Sequence, residues 1–563
     1  MVRNIRWQAG MAILGSLLIV ALMGQLAAGR TTMLVPAVGG RYTEALVGYP
    51  QHINPLLARY GSPERALCAL VFSGLTRAQA NGDILPDLAS SWAISPDGQT
   101  YTFFLRPDIR WHDGQPFTAR DVVFTVQLMQ SPGFSASPEL AVAWQQVEVH
   151  QIDAYSVAFW LPQPYAPFLE QTTIGLLPAH LLNDVSAATL AGHTFNRAPV
   201  GTGPFRLEQF TAERARLAPH AQYHGGRTFI GSIELLFYPD VESALDAYSR
   251  GEVLALGGIP ASLLAQAASL PDLELFSLPL NSYTLIVLNN RHPILADVQV
   301  RRALAHALDR QALVDGLLYG QGIVIDSPIP AGHWAHEPDV QHYDYDVGSA
   351  GELLQAAGWG IAPPPAVEEP GEQRELGPQV WREKSGQPLT FTLLTDNDPV
   401  RRQLATALAD RWARVGAQVT VQSLAAAERD ALLFDYQFDA ALLQMVLPAD
   451  PDLYPWWHST QANGGQNLAG LNNLAIDQAL QQARLVTDRA KRWALYSAFQ
   501  RTFAQQEPAI LLFREVYTFG IDRKVKNVQA GPLLEPSHRF RDIHHWYLVT
   551  QRVLVQKELA DIR

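Results

Sequence analysis

Residues 109–123 read IRWHDGQPFTARDVV, and His112 beside Asp113 is the pairing that a general base, or half a metal site, requires. A working imidazole also needs a third group to orient it and a nucleophile or metal to act on, and the neighbouring residues supply neither. The flanking sequence points to a turn instead. Pro96, Asp97 and Gly98 suit a tight turn, so Trp92–Ile94 and Thr100–Leu105 are expected to pair as a hairpin. Thr118 followed three residues later by Asp121 has the form of a capping box, and Val122, Val126 and Met129 then make one helical face. HDGQP therefore bridges a strand and a helix, with Asp113 and Gly114 in the turn between them. A second group, HWAHEPDVQHYDYD (333–346), offers His333, His336, His342, Asp339, Asp344 and Asp346, side chains that suit nickel or zinc. Their spacing repeats no metal motif, and structural or surface histidines are the expectation. His544 and His545, beside Trp546, are assigned to C-terminal packing. The chain has no GxSxG, HExxH or Walker loop, so a hydrolase has no motif to rest on, and no metal or other cofactor is expected.

The elements that hold these residues belong to a chain of 563 residues, too long for one hydrophobic core, and its 48% hydrophobic content fills two or more lobes. Asp and Glu outnumber Lys and Arg by 54 to 42, a formal charge of −12, and no basic run carries interleaved aromatics, so nucleic acid is not an expected partner. The single cysteine, Cys68, excludes an intrachain disulfide and any CxxC site. Arg3 and Arg6 precede MAILGSLLIVALMGQLAA (11–28), an uncharged run long for a signal peptide and just long enough to span a bilayer. Ala27, Ala28 and Gly29 suit a signal peptidase. Residues 1–30 are therefore read as a signal peptide or an uncleaved membrane anchor, and the body as extracytoplasmic.

Strand and helix signals alternate along the body, and no internal repeat is evident. LTFTLLT (389–395) is β-rich; Asp398 then provides an N-cap, Pro399 the first helical position, Val400, Leu404, Leu408, Trp412 and Val415 a helical stripe, Gly416 a stop, and QVTVQ a new strand. This is a βαβ crossover, which implies parallel strands covered by helices. Residues 297–320 read as a helix carrying Val300, Leu304, Ala307 and Leu308, restarting at Asp309, with Arg301 and Arg302 on its solvated side. Residues 361–380, rich in proline and glutamate, read as a surface loop.

PDLASSWAISPDGQTYTFFLRPDIRWHDGQPFTARDVVFT (86–125) closely resembles the signature of the extracytoplasmic solute-binding proteins of ABC transporters, family 5, whose members take oligopeptides, dipeptides, nickel complexes and other solutes. GTGPFRLEQF (201–210), VRRALAHALDRQALVDGLLYGQGIVIDSPIP, YDYDVGSAGELLQAAGW and PAILLFREVYTFGIDRKVKNV resemble later blocks of that family in order. The resemblance implies an α/β, two-lobed periplasmic-binding-protein fold of type II, a clamshell with a discontinuous first lobe and two hinge strands. The expected division is 31–280 for the first part of lobe one, 281–515 for lobe two and 516–563 for the return, with crossings near LNSYTLIVLNN and EVYTFGI. It also implies a non-enzymatic, monomeric receptor that delivers a peptide or similar mid-sized polar solute to ABC permease subunits. A non-peptide solute such as a sugar or metal chelate, or a sensory role on the same fold, is the alternative.

In LPADPDLYPWWHS (447–459), peptide-binding relatives place an aspartate that pairs with the peptide amino group, which makes Asp450 the first candidate, with Asp452 beside it. A second register puts Leu447 at that position instead. Of Trp456 and Trp457, one is expected to pack and the other to face the cleft; Tyr283, past the first crossing, and Asn54, in YPQHIN, complete the ligand-binding set.

Overall fold

The computed structural model describes residues 14–20, 23, 32–134, 137–362 and 381–554. The cleavage and anchor readings of the N-terminal run fall largely outside these residues, as does the Pro/Glu-rich loop reading from residue 363 on. No helix among the described residues is long and apolar enough to cross a membrane.

One eleven-stranded mixed sheet runs through the molecule. At one end Gly39–Val47 pairs in parallel with Ile230–Tyr238 and Ala255–Gly257. At the other, Thr390–Asp396 pairs in parallel with Gln418–Leu424 and Ala440–Val446. Two long antiparallel strands, Leu273–Leu288 and Ala509–Asp522, connect the ends. Their register runs from Leu273↔Asp522 to Pro279↔Val516, breaks, and resumes at Tyr283↔Arg514. On one side of the break lie a large core containing Tyr42, Trp111, Phe159 and Trp546 and a smaller one around Leu245 and Leu256; on the other lie two, one around Leu304 and Trp412, the other around Trp457, Tyr496 and Phe503. Tyr42 and Trp546 meet edge to face at 5.7 Å, so the two ends of the chain share the first core. The first lobe is thus discontinuous and the second is inserted between its halves.

Local signals decide most elements. Ala89–Ile94 pairs with Thr100–Leu105 (Trp92↔Phe103, Ile94↔Tyr101) around a turn in which Gly98 takes φ +71°. Asp121 accepts the Thr118 N–H at 2.9 Å and opens the helix Ala119–Gln130. The βαβ unit forms as its caps require: Asp398 accepts the Arg401 N–H, the helix covers Pro399–Ala413, and Gly416 takes φ +92° before the next parallel strand.

Residues 297–320 do form two helices, Val298–His306 and Arg310–Leu317, but Arg301 is not on the solvated side. It is 3% exposed and donates to the carbonyls of Leu295, Ala296, Gln506 and Glu507. Unpaired carbonyls near the C-terminal end of the helix Arg489–Gln506 attract a guanidinium from the face that periodicity reads as polar.

Candidate functional site

His112 and Asp113 do not act as a pair. The His112 Nδ1 accepts the Gly201 N–H at 3.2 Å while Nε2 donates to the Gly203 carbonyl at 3.0 Å, and burial pushes its pKa down to about 3. A neutral imidazole therefore straps the HDGQP turn to the GTGP turn. Asp113 accepts from the Gln115 N–H and pairs with His180. The glycines of GTGP serve close approach: a Cβ at Gly201 would lie 1.9 Å from the Val71 carbonyl oxygen, to which the Gly203 N–H donates at 2.9 Å.

The histidines of 333–346 disperse. His333 binds the Ala449 carbonyl, His336 the Ile329 carbonyl, and His342 the Asp326 carboxylate, while Asp346 caps the helix Val347–Ala356. No group of three or more His, Cys, Asp or Glu is placed to share a metal ion among the described residues. His544 meets Tyr223 edge to face at 5.5 Å and lies tilted against the His545 ring at 3.9 Å.

A cavity of about 290 Å³ opens between the lobes. Tyr60, Arg77, Asp87, Glu170 and Tyr223 line it from the first lobe, and the loop Val446–Ala449 closes it from the second. Glu170, from the short helix Phe168–Gln171, reaches across: its two oxygens accept the N–H groups of Ala449 (2.7 Å) and Asp450 (2.9 Å). Burial pushes this carboxyl up to about 8, against the opposing pull of the Asp450 N–H. Asp87 pairs with His224 and Glu535 with Arg65 on the same walls. Further contacts join the lobes along this edge: Tyr165 to Asp452 (3.0 Å), Ala166 N–H to the Arg484 carbonyl (2.7 Å), Arg489 to Asp83 (2.7 Å) and Trp334 N–H to the Asn81 carbonyl (3.0 Å).

This geometry revises the residue set. Asp450 does not line the cavity: both its oxygens are taken by Arg492 (2.6 and 2.7 Å) inside lobe two. Burial alone lowers the Arg492 pKa, and the Asp450 carboxylate outweighs it and raises it, so the guanidinium stays charged, while burial raises the Asp450 carboxyl against the pull of Arg492. Asp452 is held by Arg484 and by the Tyr165 hydroxyl. Leu447, the position named by the second register, lines the cavity together with Val446, Pro448 and Ala449. Tyr283 is a core residue, fully buried with its hydroxyl on the Met445 sulfur. Asn54 is also fully buried, donating to Asn196 Oδ1 and capping the Leu56 N–H. Trp457 packs edge to face on Phe503, while half-buried Trp456 borders a separate apolar hollow of about 280 Å³ with Phe434, Leu443 and Leu468. Sequence reasoning missed Glu170, an acid that follows the apolar PFL of its short helix, which is the signal that marks it.

The profile of the bacterial extracellular solute-binding proteins, family 5, matches residues 83–466, more than half of the chain. The chain belongs to this family. Among family relatives, the oligopeptide-binding protein AppA of Bacillus subtilis is 25% identical over 528 residues, covering 91% of this chain and 92% of its own. The dipeptide-binding protein of Escherichia coli is 25% identical over 524 residues, covering 88% and 93%. The crystal structure of NikZ from Campylobacter jejuni with Ni(L-His) superposes with a TM-score of 0.71 at 26% identity, covering 90% of this chain and 99% of that one. The fold is the two-lobed type II clamshell of the periplasmic binding proteins, and the superposition extends over 90% of the chain.

Proposed function

We propose that this family-5 protein is the binding component of an ABC importer, taking a peptide into the interlobe cavity and presenting the closed form to permease subunits. The observation that carries the reading is a cavity of about 290 Å³ built from both lobes, with acidic and basic side chains on its walls and backbone groups of Val446–Ala449 on its far side. A mobile zwitterion finds partners of both signs there, and a ligand that touches both lobes favours closure by those added contacts. The peptide-binding names of the Bacillus subtilis and Escherichia coli relatives support the choice of solute. Leu447 on the cavity wall sets this chain apart from an aspartate clamp on the amino group, so the amino end is taken in our reading by Asp87 or Glu535, each of which also pairs with a neighbouring base.

The role is binding without turnover, supported by the locked imidazole of His112. The hinge division at 280/281 and 515/516 is supported by the register break between Pro279 and Tyr283. Trp456 borders the ligand only if a side chain extends into the apolar hollow beside it. The protein works as an extracytoplasmic monomer, held or exported through residues 11–28. Equilibrium binding of mixed di- to nonapeptides, followed by intrinsic tryptophan fluorescence, tests the reading; saturable binding supports it and a flat titration rejects it.

A further inference from the structure

The apolar hollow of about 280 Å³ that Trp456 borders is lined wholly from the second lobe, and no charged side chain lines it. Leu285, Val287, Leu443 and Met445, on the paired strands Leu273–Leu288 and Ala440–Val446, form one wall. Of the two glutamines at its border, Gln444 donates its amide to Glu515 on the other long strand and Gln466 is exposed, so the interior stays apolar. Leu285, Val287, Met445 and Trp457 also belong to the core around Tyr496 and Phe503, which makes the hollow a gap in that core. Protein cores close-pack and keep few voids larger than a water molecule, whereas an apolar cavity of about 150 Å³ admits a benzene ring. The space kept here is ample for an aromatic group.

Two features say what fills it. Val446 lines both the hollow and the interlobe cavity, so the two spaces are neighbours across one side chain. Trp457, 2% exposed, borders the hollow, and its indole N–H has no acceptor, although buried donors are almost always hydrogen-bonded. Trp144 and Trp546 also keep an unpartnered N–H, but neither lines the hollow or the interlobe cavity. Phe434, 54% exposed, and half-buried Trp456 stand where the hollow meets solvent and offer ring surface to a guest. We infer that the hollow is a specificity pocket for an aromatic side chain of the bound peptide, entered past Val446, with Trp457 as the donor to an oxygen carried on that ring. The inference rests on the peptide reading above and adds to it that this chain prefers peptides containing tyrosine, whose ring fills apolar space and whose hydroxyl accepts a hydrogen bond.

The test uses the full-length protein, trialanine, and the tripeptides in which tyrosine replaces one alanine at each position in turn, with binding followed by calorimetry. The expected result is that tyrosine at one position tightens binding about tenfold or more over trialanine, as burial of one large apolar side chain does, and that Phe434→Glu and Trp456→Ala each bring the ratio of the two affinities close to one. Phe434 is exposed enough for a charge there to leave the fold intact, and it carries the test alone if Trp456→Ala fails to fold. Equal binding of trialanine and of every tyrosine peptide overturns the pocket while the peptide reading stands, and so does a tyrosine gain that survives both variants. If no peptide binds, the peptide reading fails, and p-cresol, the tyrosine side chain alone, decides the pocket. A saturable rise in Tm that both variants lose keeps the aromatic site and gives it to a different solute; no rise overturns it.

Discussion

Glu170 joins the lobes directly, since its one carboxyl group accepts two backbone N–H groups from the opposite lobe. Its pKa, raised by burial to about 8, makes this contact pH-sensitive. An unfolded glutamate ionises near 4.3, so between there and about pH 8 the folded protein keeps a proton that the unfolded chain has released. Stability is therefore highest below that window and falls as pH rises through it. Glu170→Gln should flatten this part of the pH profile of Tm, read by thermal melts from pH 4 to 9, and loses one of the two acceptors. Asp450 makes the opposite case. As half of a buried ion pair, it should cost about 3–5 kcal/mol when replaced by Ala, because Arg492 is left uncompensated. An amino-clamping role would instead lower ligand affinity with stability intact; urea denaturation alongside ligand titration separates the two. The sequence places Asp450, Asp452 and the tryptophans in one loop but is silent on which way each points. Arg492 lies 42 residues beyond Asp450 and Glu170 lies 279 before Ala449, so those partners become visible only in the fold.

At the level of elements, the legible parts are those whose signals are local. Thr118 and Asp121, Asp398 and Pro399, and the turn at Pro96–Gly98 each act within a few residues, and each element forms where those residues put it. Arg301 is read incorrectly because two of its four carbonyl partners, those of Gln506 and Glu507, lie at another helix end more than 200 residues away. GTGP shows a motif whose meaning is steric rather than chemical. Its glycines let the turn lie on the end of the helix Pro63–Val71, and His112 ties the turn to HDGQP. Gly201→Ala should push against a backbone oxygen that cannot rotate away, costing about 3 kcal/mol. A denaturant midpoint unchanged from wild type would contradict this packing.

Across the whole molecule, two long strands join a lobe built from both chain ends to a lobe inserted between them, and the lobes touch along an edge where Glu170, Tyr165 and Asp83 of the first meet the loop after Val446, Arg484 and Arg489 of the second. Acidic groups and arginines both border the larger cavity, which is the charge pattern on which the proposed zwitterionic ligand rests. The fold class was legible because its signature blocks recur in order along the sequence; the cavity was not, because its walls come from segments spanning nearly the whole chain. The most direct test of the central claim is native mass spectrometry of the full-length protein, before and after mild denaturation and refolding and then after exposure to mixed di- to nonapeptides. The account predicts a releasable population of peptide masses and its return on re-exposure. A protein that retains no peptide at any stage, or releases a single non-peptide mass, would contradict it.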